Sequence, residues 1–178
     1  MAVVLTERLR LTPVTAADVD DLVVLHADAN VAEWHAGRWT AEQARHWAEG
    51  MAARWARQGV GKWMARRRSD DVLVGRGGLS RVALDGEEAL ELGWTLRDAA
   101  RGQGYATEIG RAGLRFAVEE LGARRVVAFT EVHNRASRAV MERLGMRPCG
   151  VISRPGLVEG RIGVQDDAAF VLYAYNHP

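Results

Sequence analysis

The segment RGQGYA, residues 101–106, has the residue types of an anion-binding loop. It lies between a strand-like run and a helix-like run, and the small residues Gly102, Gly104 and Ala106 let a ligand approach the backbone closely. The first N–H groups of a helix have no partner within the helix and lie at its positive end, where anions such as a pyrophosphate bind. Arg101 adds a cation whose planar fork matches a phosphate group. These residues therefore predict a phosphate-binding loop.

Two common phosphate-binding patterns do not fit this loop. The Rossmann pattern G-x-G-x-x-G fails because Thr107 occupies the third glycine position, and no acidic residue ends a following strand ~20 residues on. A P-loop is excluded because the chain has no glycine-lysine pair followed by serine or threonine. An ordinary strand-to-helix turn remains the alternative interpretation of the loop taken alone.

The histidines and the cysteine do not form a metal-binding pattern. Cys149 is the only cysteine, which excludes an intramolecular disulfide and a multi-cysteine zinc site. The five histidines have no ligand spacing with it: His26, His35, His46, His133 and His177. We therefore expect no metal site.

The elements around the loop alternate between strand patterns and helix patterns. Three strand-like runs over residues 62–67, 72–82 and 89–96 are separated by turn signals and predict an antiparallel meander. After the loop, residues 105–121 have an apolar stripe at helical spacing, and residues 125–130 form a short apolar strand.

The first and last parts of the chain complete this order. Two helices are expected before the meander, the first with Thr15 and Asp18 in a box-like capping position and the second with a better capping box of Thr40 and Gln43. A short helix over residues 136–144 and two strands end the chain. The order β-α-α-β-β-β-α-β-α-β-β indicates an α/β sandwich around a mixed sheet.

Length and composition limit the classes of protein to which the chain can belong. The chain has 178 residues, of which 48% are hydrophobic and 26% are charged, and its net charge is +1. These values are typical of one soluble globular domain, here residues 1–178, and exclude disordered, collagen-like and coiled-coil proteins. The charge balance predicts no nucleic-acid partner. No uncharged run reaches the ~18 residues that a membrane span needs, so we expect a cytoplasmic protein without a membrane partner.

Several motifs, in this order along the chain, resemble the GNAT acetyltransferase superfamily: ELGWTL, RGQGYA, VVAFTEVHN and NRASRAVMERLGM. The loop is similar to the superfamily pattern R/Q-x-x-G-x-G/A at Arg101, Gly104 and Ala106. The pair Asn134-x-x-Ser137 and the opening TERLRLTPVTAADVDDL resemble the branch that acetylates the N-termini of ribosomal proteins. The resemblance covers nearly the whole chain. It implies a single-domain GNAT fold with a mixed, mostly antiparallel sheet, splayed at the centre and flanked by helices on both faces.

The resemblance also implies acetyl-CoA as co-substrate, bound where the neighbouring parallel strands 89–96 and 125–130 separate. Asn134 would hydrogen-bond the pantetheine arm. This arm would also pair, like an added strand, with the backbone of Trp94, Thr95 and Leu96. The pyrophosphate would bind the backbone amides of the loop: Arg101, Gly102, Gln103, Gly104, Tyr105 and Ala106.

Direct attack of an amine on the thioester needs a neutral amine, a donor for the developing oxyanion and a proton for the departing thiolate. The resemblance implies Glu91 as the base, directly or through water, or as the group that holds the ammonium. Glu131 and Glu159 are the competing carboxylates, and a solvated position at the strand edge is the structural alternative for Glu91.

The residue at the position of the proton donor to the thiolate differs from that in much of the superfamily. Many members have a tyrosine in the last helix, whereas this chain has Met141 at the matching position, and methionine cannot donate a proton. Ser137 lies one helical turn earlier, and the resemblance to the ribosomal-type branch implies that it is the acid or the hydrogen-bond donor to the thiolate. A serine packed on the sheet is the alternative.

Three residues are expected at the acceptor site. Trp34, His35 and Trp39 are predicted to lie in a loop between two helices, which rims the acceptor site in this family. A surface loop with one anchoring aromatic residue is the alternative.

The resemblance implies acetyl transfer to a primary amine, with a protein N-terminal α-amine as the acceptor. A small-molecule amine (an antibiotic, a polyamine or an amino-acid derivative) is the alternative within enzymes. A non-catalytic acyl-CoA-binding sensor is the alternative from another class. Met141 favours the sensor, whereas Ser137 and Glu91 oppose it. The resemblance to the family also implies a possible homodimer.

Overall fold

One sheet of eight strands runs through the computed structural model, which describes residues 3–35, 37–84 and 86–177. The strands, in chain order, are β1 (Val4–Leu5), β2 (Leu9–Pro13), β3 (Lys62–Arg67), β4 (Leu73–Leu84), β5 (Glu87–Leu96), β6 (Arg125–Glu131), β7 (Arg147–Gly156) and β8 (Gln165–Asn176). The α-helices in the same ranges are α1 (Val19–Ala27), α2 (Ala29–Trp34), α3 (Ala41–Gln58), α4 (Tyr105–Glu119) and α5 (Arg135–Arg143). The predicted α/β class is confirmed.

The sheet is antiparallel at every strand pair except one. Its spatial order is β1-β2-β3-β4-β5-β6-β8-β7, and only β5 and β6 run parallel. These two strands share a single register pair, Glu91 with Val127, whereas β4 and β5 pair along ten positions. Beyond Glu91 the two strands diverge, which confirms a mixed sheet that is splayed at its centre.

Helices cover both faces of the sheet. Successive residues of β4 point to opposite faces, so their contacts show which helix lies on each side. A Cβ at Gly77 would lie 2.6 Å from Cγ2 of Ile109, so this glycine lets α4 pack closely on one face. The neighbouring Arg76 points the other way, where its guanidinium lies 4.4 Å from the ring of Trp47 in α3 and 3.4 Å from Nε2 of His26 in α1. We call these two sides the α4 face and the α3 face.

The ends of the helices follow from local sequence. Thr40 accepts from the amide of Gln43 and Gln43 accepts from the amide of Thr40, which is the predicted capping box of α3. Gly59 ends α3 with φ 65°, a left-handed conformation that glycine adopts without strain. The second predicted box, Thr15 with Asp18, caps a short 3-10 turn that leads into α1.

The short helix α2 was not predicted, and it corrects the expected loop around Trp34. Six residues are too few for an apolar stripe to be recognised in the sequence. The helix is held by tertiary contacts, because Val31 is buried in the core and Asp28, the residue before α2, forms a bidentate ion pair with Arg97 at the end of β5. Trp34 is therefore the last residue of a helix whose orientation is fixed by these contacts.

No helix in the described ranges has the length and apolarity needed to cross a bilayer.

Candidate active site

A cleft with a volume of about 350 Å³ opens where β5 and β6 diverge. Strands β5 and β6, helices α2 and α5, and the loop before α4 form its walls. Of the residues predicted to bind or react, eleven line this cleft: Trp34, His35, Glu91, Trp94, Thr95, Leu96, Arg101, Gly102, Ala106, Asn134 and Ser137. The structure therefore brings most of the predicted site into one place.

The loop before α4 presents backbone donors to the cleft. Gly102 and Gly104 have φ values of 73° and 83°, which glycine adopts readily and other residues rarely adopt. Gly104 is the N-cap of α4 and supplies no side chain to the free amides of the first turn. Within the described residues, the amides from Gly102 to Ala106 have no hydrogen-bond acceptor. A phosphate group fits such a set of unpaired donors.

Three of the predicted loop residues lie outside the cleft lining. Gln103 donates from Nε2 to the carbonyl of Ala99 at 2.7 Å, and Tyr105 is buried in the core beneath the guanidinium of Arg8 at 4.5 Å. A Cβ at Gly104 would touch Arg8 Nη2 at 3.4 Å. The side chains of Gln103 and Tyr105 therefore brace the loop, and only the backbone amides of this part remain for a ligand.

Arg8 is a residue of this region that the sequence did not indicate. Its Nε lies 2.8 Å from Oε2 of Glu108 in α4, and its Nη1 donates to the carbonyl of Gln103 at 2.9 Å. Thr6 also donates to Glu108, at 2.6 Å. These contacts join the start of the chain to the first turn of α4 and so hold the loop in place. Sequence patterns did not reveal them because the contacting residues are far apart in the chain.

The opposite wall of the cleft is α5. Asn134 is its N-cap, and Oδ1 of Asn134 accepts from the amide of Ser137 at 3.1 Å. Ser137 lies in the first turn, is half-buried and lines the cleft, and Met141 lines it one turn later. The hydroxyl of Ser137 makes no hydrogen bond within the part of the chain that the structure describes. It is therefore available to a ligand in the cleft.

Glu91 forms a buried ion pair with Lys62, the only lysine of the chain. Lys62 Nζ lies 2.8 Å from Oε2 of Glu91 and 2.8 Å from the carbonyl of Gly78. Burial lowers the pKa of Lys62, and the adjacent Glu91 acts in the opposite direction. The other carboxylate oxygen lies over Gly93, where a Cβ would approach Oε1 to 2.6 Å. Oε2 of Glu91 is thus held by Lys62, whereas Oε1 lies over Gly93 without a hydrogen bond to the described residues.

The two competing carboxylates have different positions. Glu131 ends β6, lines the cleft and is buried, and its Oε1 accepts from the amide of Leu157 at 3.5 Å. Glu159 lies exposed between β7 and β8, away from the cleft lining. Glu131 therefore remains a second carboxylate of the site, whereas the position of Glu159 gives it no contact with the cleft.

Two of the three predicted acceptor residues reach the cleft. Nε2 of His35 lies 3.0 Å from the Thr95 hydroxyl, and burial together with nearby Arg76 lowers the pKa of His35 to about 3. Trp34 stacks near His133 with ring centroids 5.2 Å apart. Trp39, in contrast, does not line the cleft. Its ring stacks on the buried ring of His26 with centroids 3.4 Å apart, so Trp39 packs against the core, and its place at the acceptor rim stays a prediction.

Arg76 is a second site residue that the sequence did not indicate. Its exposed fraction is 7%, and it lines the cleft from the α3 face. Burial lowers the pKa of Arg76 to about 10, and burial followed by the charge of Arg76 lowers the pKa of His26 to about 2. The histidines around this guanidinium are therefore uncharged at neutral pH.

Metal-ligating side chains do not cluster in the described ranges, since no group of three or more His, Cys, Asp or Glu residues there could hold an ion.

Known proteins share both the sequence pattern and the architecture of this chain. The family model described as an acetyltransferase (GNAT) domain matches residues 8–147. An uncharacterized protein of Bacillus subtilis, YkkB, is 27% identical over 142 residues, which cover 79% of this chain and 83% of that protein.

Two solved structures have the same fold. An acetyltransferase of Agrobacterium tumefaciens superposes with a TM-score of 0.74 at 26% identity, covering 99% of this chain and 95% of that one. RimL, a ribosomal L7/L12 alpha-N-protein acetyltransferase solved with coenzyme A, superposes with a TM-score of 0.78 at 21% identity, covering 98% and 97%. The family model covers most of the chain, and the sheet is splayed next to the glycine loop. This protein therefore belongs to the GNAT family of N-acetyltransferases.

Proposed function

We propose that this enzyme transfers an acetyl group from acetyl-CoA to a primary amine by direct attack in a ternary complex, with a protein N-terminal α-amine as the favoured acceptor. The observation that carries the proposal is the single register pair between β5 and β6, because residues from both faces of the sheet line the gap beyond it. Two substrates can meet there from opposite sides.

The α4 face supports the binding of the co-substrate. Arg101, Gly102 and Ala106 lie at one end of the cleft and offer a cation and free amides to the pyrophosphate. Asn134 and Ser137 approach from α5, which packs beside α4: a Cβ at Gly110 of α4 would overlap the Leu144 side chain just after α5. The pantetheine arm would add along the open edge of β5 at Trp94 to Leu96.

The α3 face supports the binding of the acceptor. Every second residue of β5 faces this side: Glu91, Gly93 and Thr95. Leu92 points to the other side, where it packs against α4 at Gly113. His35 contacts Thr95 from the same side. The amine would therefore reach the thioester carbon past the free oxygen of Glu91.

In the proposed reaction a C–N bond forms between the amine and the acetyl carbon, and the C–S bond breaks. Glu91 takes a proton from the amine through Oε1, directly or through one water. The hydroxyl of Ser137 donates a hydrogen bond to the departing thiolate. No covalent enzyme intermediate is required, because both substrates are bound together.

A protein acceptor is supported by the Asn134-x-x-Ser137 motif and by the shared fold of RimL. A small amine is the second candidate, and one observation favours it: the α3 face of the cleft contains a buried guanidinium that a compact acceptor with a negative group would neutralise.

The acceptor class is tested by competition. Purified protein and isotope-labelled acetyl-CoA would be incubated with a pool of peptides that vary at the first residue and a pool of small amines, with mass spectrometry of the products. Acetylated peptide α-amines would support the favoured acceptor, and small-amine products alone would support the second. No product from either pool, with acetyl-CoA binding retained, would contradict catalysis and favour the sensor.

Arg101→Ala should weaken the binding of coenzyme A by about 1–3 kcal/mol, roughly 5- to 150-fold in Kd, because a charge-assisted contact to the pyrophosphate is lost. Titration calorimetry would measure this Kd. Arg115→Ala, on the exposed side of α4, is the matched control and should leave it unchanged. An unchanged Kd for Arg101→Ala would place the pyrophosphate elsewhere.

Ser137→Ala should lower kcat about tenfold, the loss expected for one hydrogen bond to a developing thiolate. Coenzyme A release measured with a thiol reagent gives the rate, and the exposed Ser153→Ala serves as control. Equal kcat values for Ser137→Ala and the unmodified enzyme would remove Ser137 from the mechanism.

A further inference from the structure

Arg76 is a buried cation that makes no ion pair with any of the residues that the structure describes. It lies in the middle of β4 with an exposed fraction of 7%, and it lines the cleft. Its Nε is buried and makes no hydrogen bond within the described residues, and its Nη2 makes one long contact of 3.4 Å with Nε2 of His26. A guanidinium has five donors, so most of its hydrogen-bonding capacity is unused.

The contact with His26 fixes the state of that ring. Arginine can only donate, so Nε2 of His26 accepts and the ring proton lies on Nδ1. Nδ1 is itself buried and has no partner among the residues that the structure describes. His26 therefore contributes no negative charge and cannot neutralise Arg76.

The charged groups of the neighbouring strands only partly offset the charge of Arg76. From β5, the charge of Glu91 acts to raise the pKa of Arg76 against the effect of burial, but Glu91 makes its ion pair with the ammonium of Lys62, at 2.8 Å. From β6, Glu131 accepts from a backbone amide. From α3, the ring of Trp47 lies at 4.4 Å and, beside it, the ring of Trp39 at 5.7 Å. In the described ranges no carboxylate forms an ion pair with Arg76.

A buried cation that lacks its partner is strongly unfavourable, and such a group calls for an explanation in a native structure. The planar guanidinium fork matches a carboxylate, which can accept two of its hydrogen bonds. Arg76 faces the same side of the sheet as Glu91, where the amine is proposed to react. A ligand that places an amine at Glu91 and a carboxylate at Arg76 satisfies both groups.

We propose that Arg76 binds a carboxylate of the acceptor, so that the acceptor is an amino-carboxylate. This inference rests on the proposed function, because it specifies which amine is acetylated. Two sources have this chemistry: a free amino-acid-like molecule, and a peptide whose first residue is acidic. A polyamine does not, because its charges would repel Arg76 and Lys62.

The test uses matched acceptors that differ only in charge. Free amino acids are compared with their carboxamides, and peptide amides that begin with aspartate or glutamate are compared with those that begin with asparagine or glutamine. The measured quantity is kcat/KM from coenzyme A release. We expect the carboxylate member of at least one set to be better by roughly tenfold or more. The set that shows the preference identifies the source.

Variants assign this preference to Arg76. Arg76→Gln should bring the ratio of kcat/KM values close to one, Arg76→Lys should retain part of it, and the Kd for acetyl-CoA should remain unchanged in both. Arg81→Gln is the matched control, because Arg81 lies on the same strand but pairs with the exposed Glu88, and it should keep the full preference.

The outcomes separate the two proposals. Equal kcat/KM for charged and neutral members in the unmodified enzyme would overturn the role of Arg76 and leave acetyl transfer to an amine intact. A preference that persists in Arg76→Gln would also overturn it. Absence of product from every acceptor, with acetyl-CoA bound, would overturn the proposed function and this inference together.

Discussion

Glu91→Gln should lower kcat by about 100-fold or more, which is the lower end of what a positioned base contributes. The substitution keeps the shape of the side chain above Gly93 and removes its ability to take a proton from the amine. The Kd for acetyl-CoA should not change, because that ligand is proposed to bind on the other face. Steady-state kinetics with a saturating acceptor would give kcat.

Two controls separate proton transfer from a loss of structure. Glu88→Gln, on the same strand but exposed, should have the activity of the unmodified enzyme. An acceptor whose amine is already neutral at the assay pH should lose less activity in Glu91→Gln than a protonated amine does. If Glu91→Gln loses the same factor with both kinds of amine, Glu91 positions the acceptor and does not act as a base. Full activity would exclude both roles.

Lys62→Met should destabilise the protein by about 3–5 kcal/mol, the usual loss when one partner of a buried ion pair is removed and the other charge stays behind. The side chains of Lys62 and Glu91 have exposed fractions of only 9% and 15%, so water from the cleft can replace the lost partner only in part. For a chain of this size the change corresponds to a decrease in Tm of roughly 6–20 °C. Guanidinium titration and thermal unfolding would measure it.

The double variant distinguishes the ion pair from simple packing. Replacing both residues with methionine removes both charges, so Lys62→Met/Glu91→Met should recover much of the stability that Lys62→Met loses. Arg81→Met breaks an exposed pair between β4 and β5 and should cost no more than about 1 kcal/mol. A loss in Lys62→Met as small as that of Arg81→Met would show that the buried pair does not stabilise the fold.

The features that sequence predicted well are those that depend on neighbouring residues. Capping boxes at Thr15 and Thr40, the helix end at Gly59 and the glycine loop before α4 depend on contacts within a few positions. Apolar periodicity gave β3 with its observed bounds and α4 to within two residues at its end. The motifs that resemble the GNAT superfamily are local as well, which is why they identified the family that the domain match confirms.

The features that sequence missed are those that depend on register. Lys62, Arg76 and Glu91 lie on three consecutive strands, and their side chains line one cleft only because the antiparallel pairing brings Gly78 opposite both Lys62 and Gly93. A shift of one residue would send any of them to the other face. Trp39 and α2 belong to the same class, since packing against His26 and the core decides their positions.

The sequence by itself thus determined the family, most of the element order, the glycine loop before α4, and the residue types at the site. Only the tertiary structure decided that Glu91 is bound to Lys62 by one oxygen and that Arg76 lines the same cleft with no ion pair to any residue the structure describes. The physical reason is that hydrogen bonding and burial set the state of a charged group, and both depend on which strands lie next to each other. Residue identity fixes what a side chain can do, and the register of the sheet fixes what it meets.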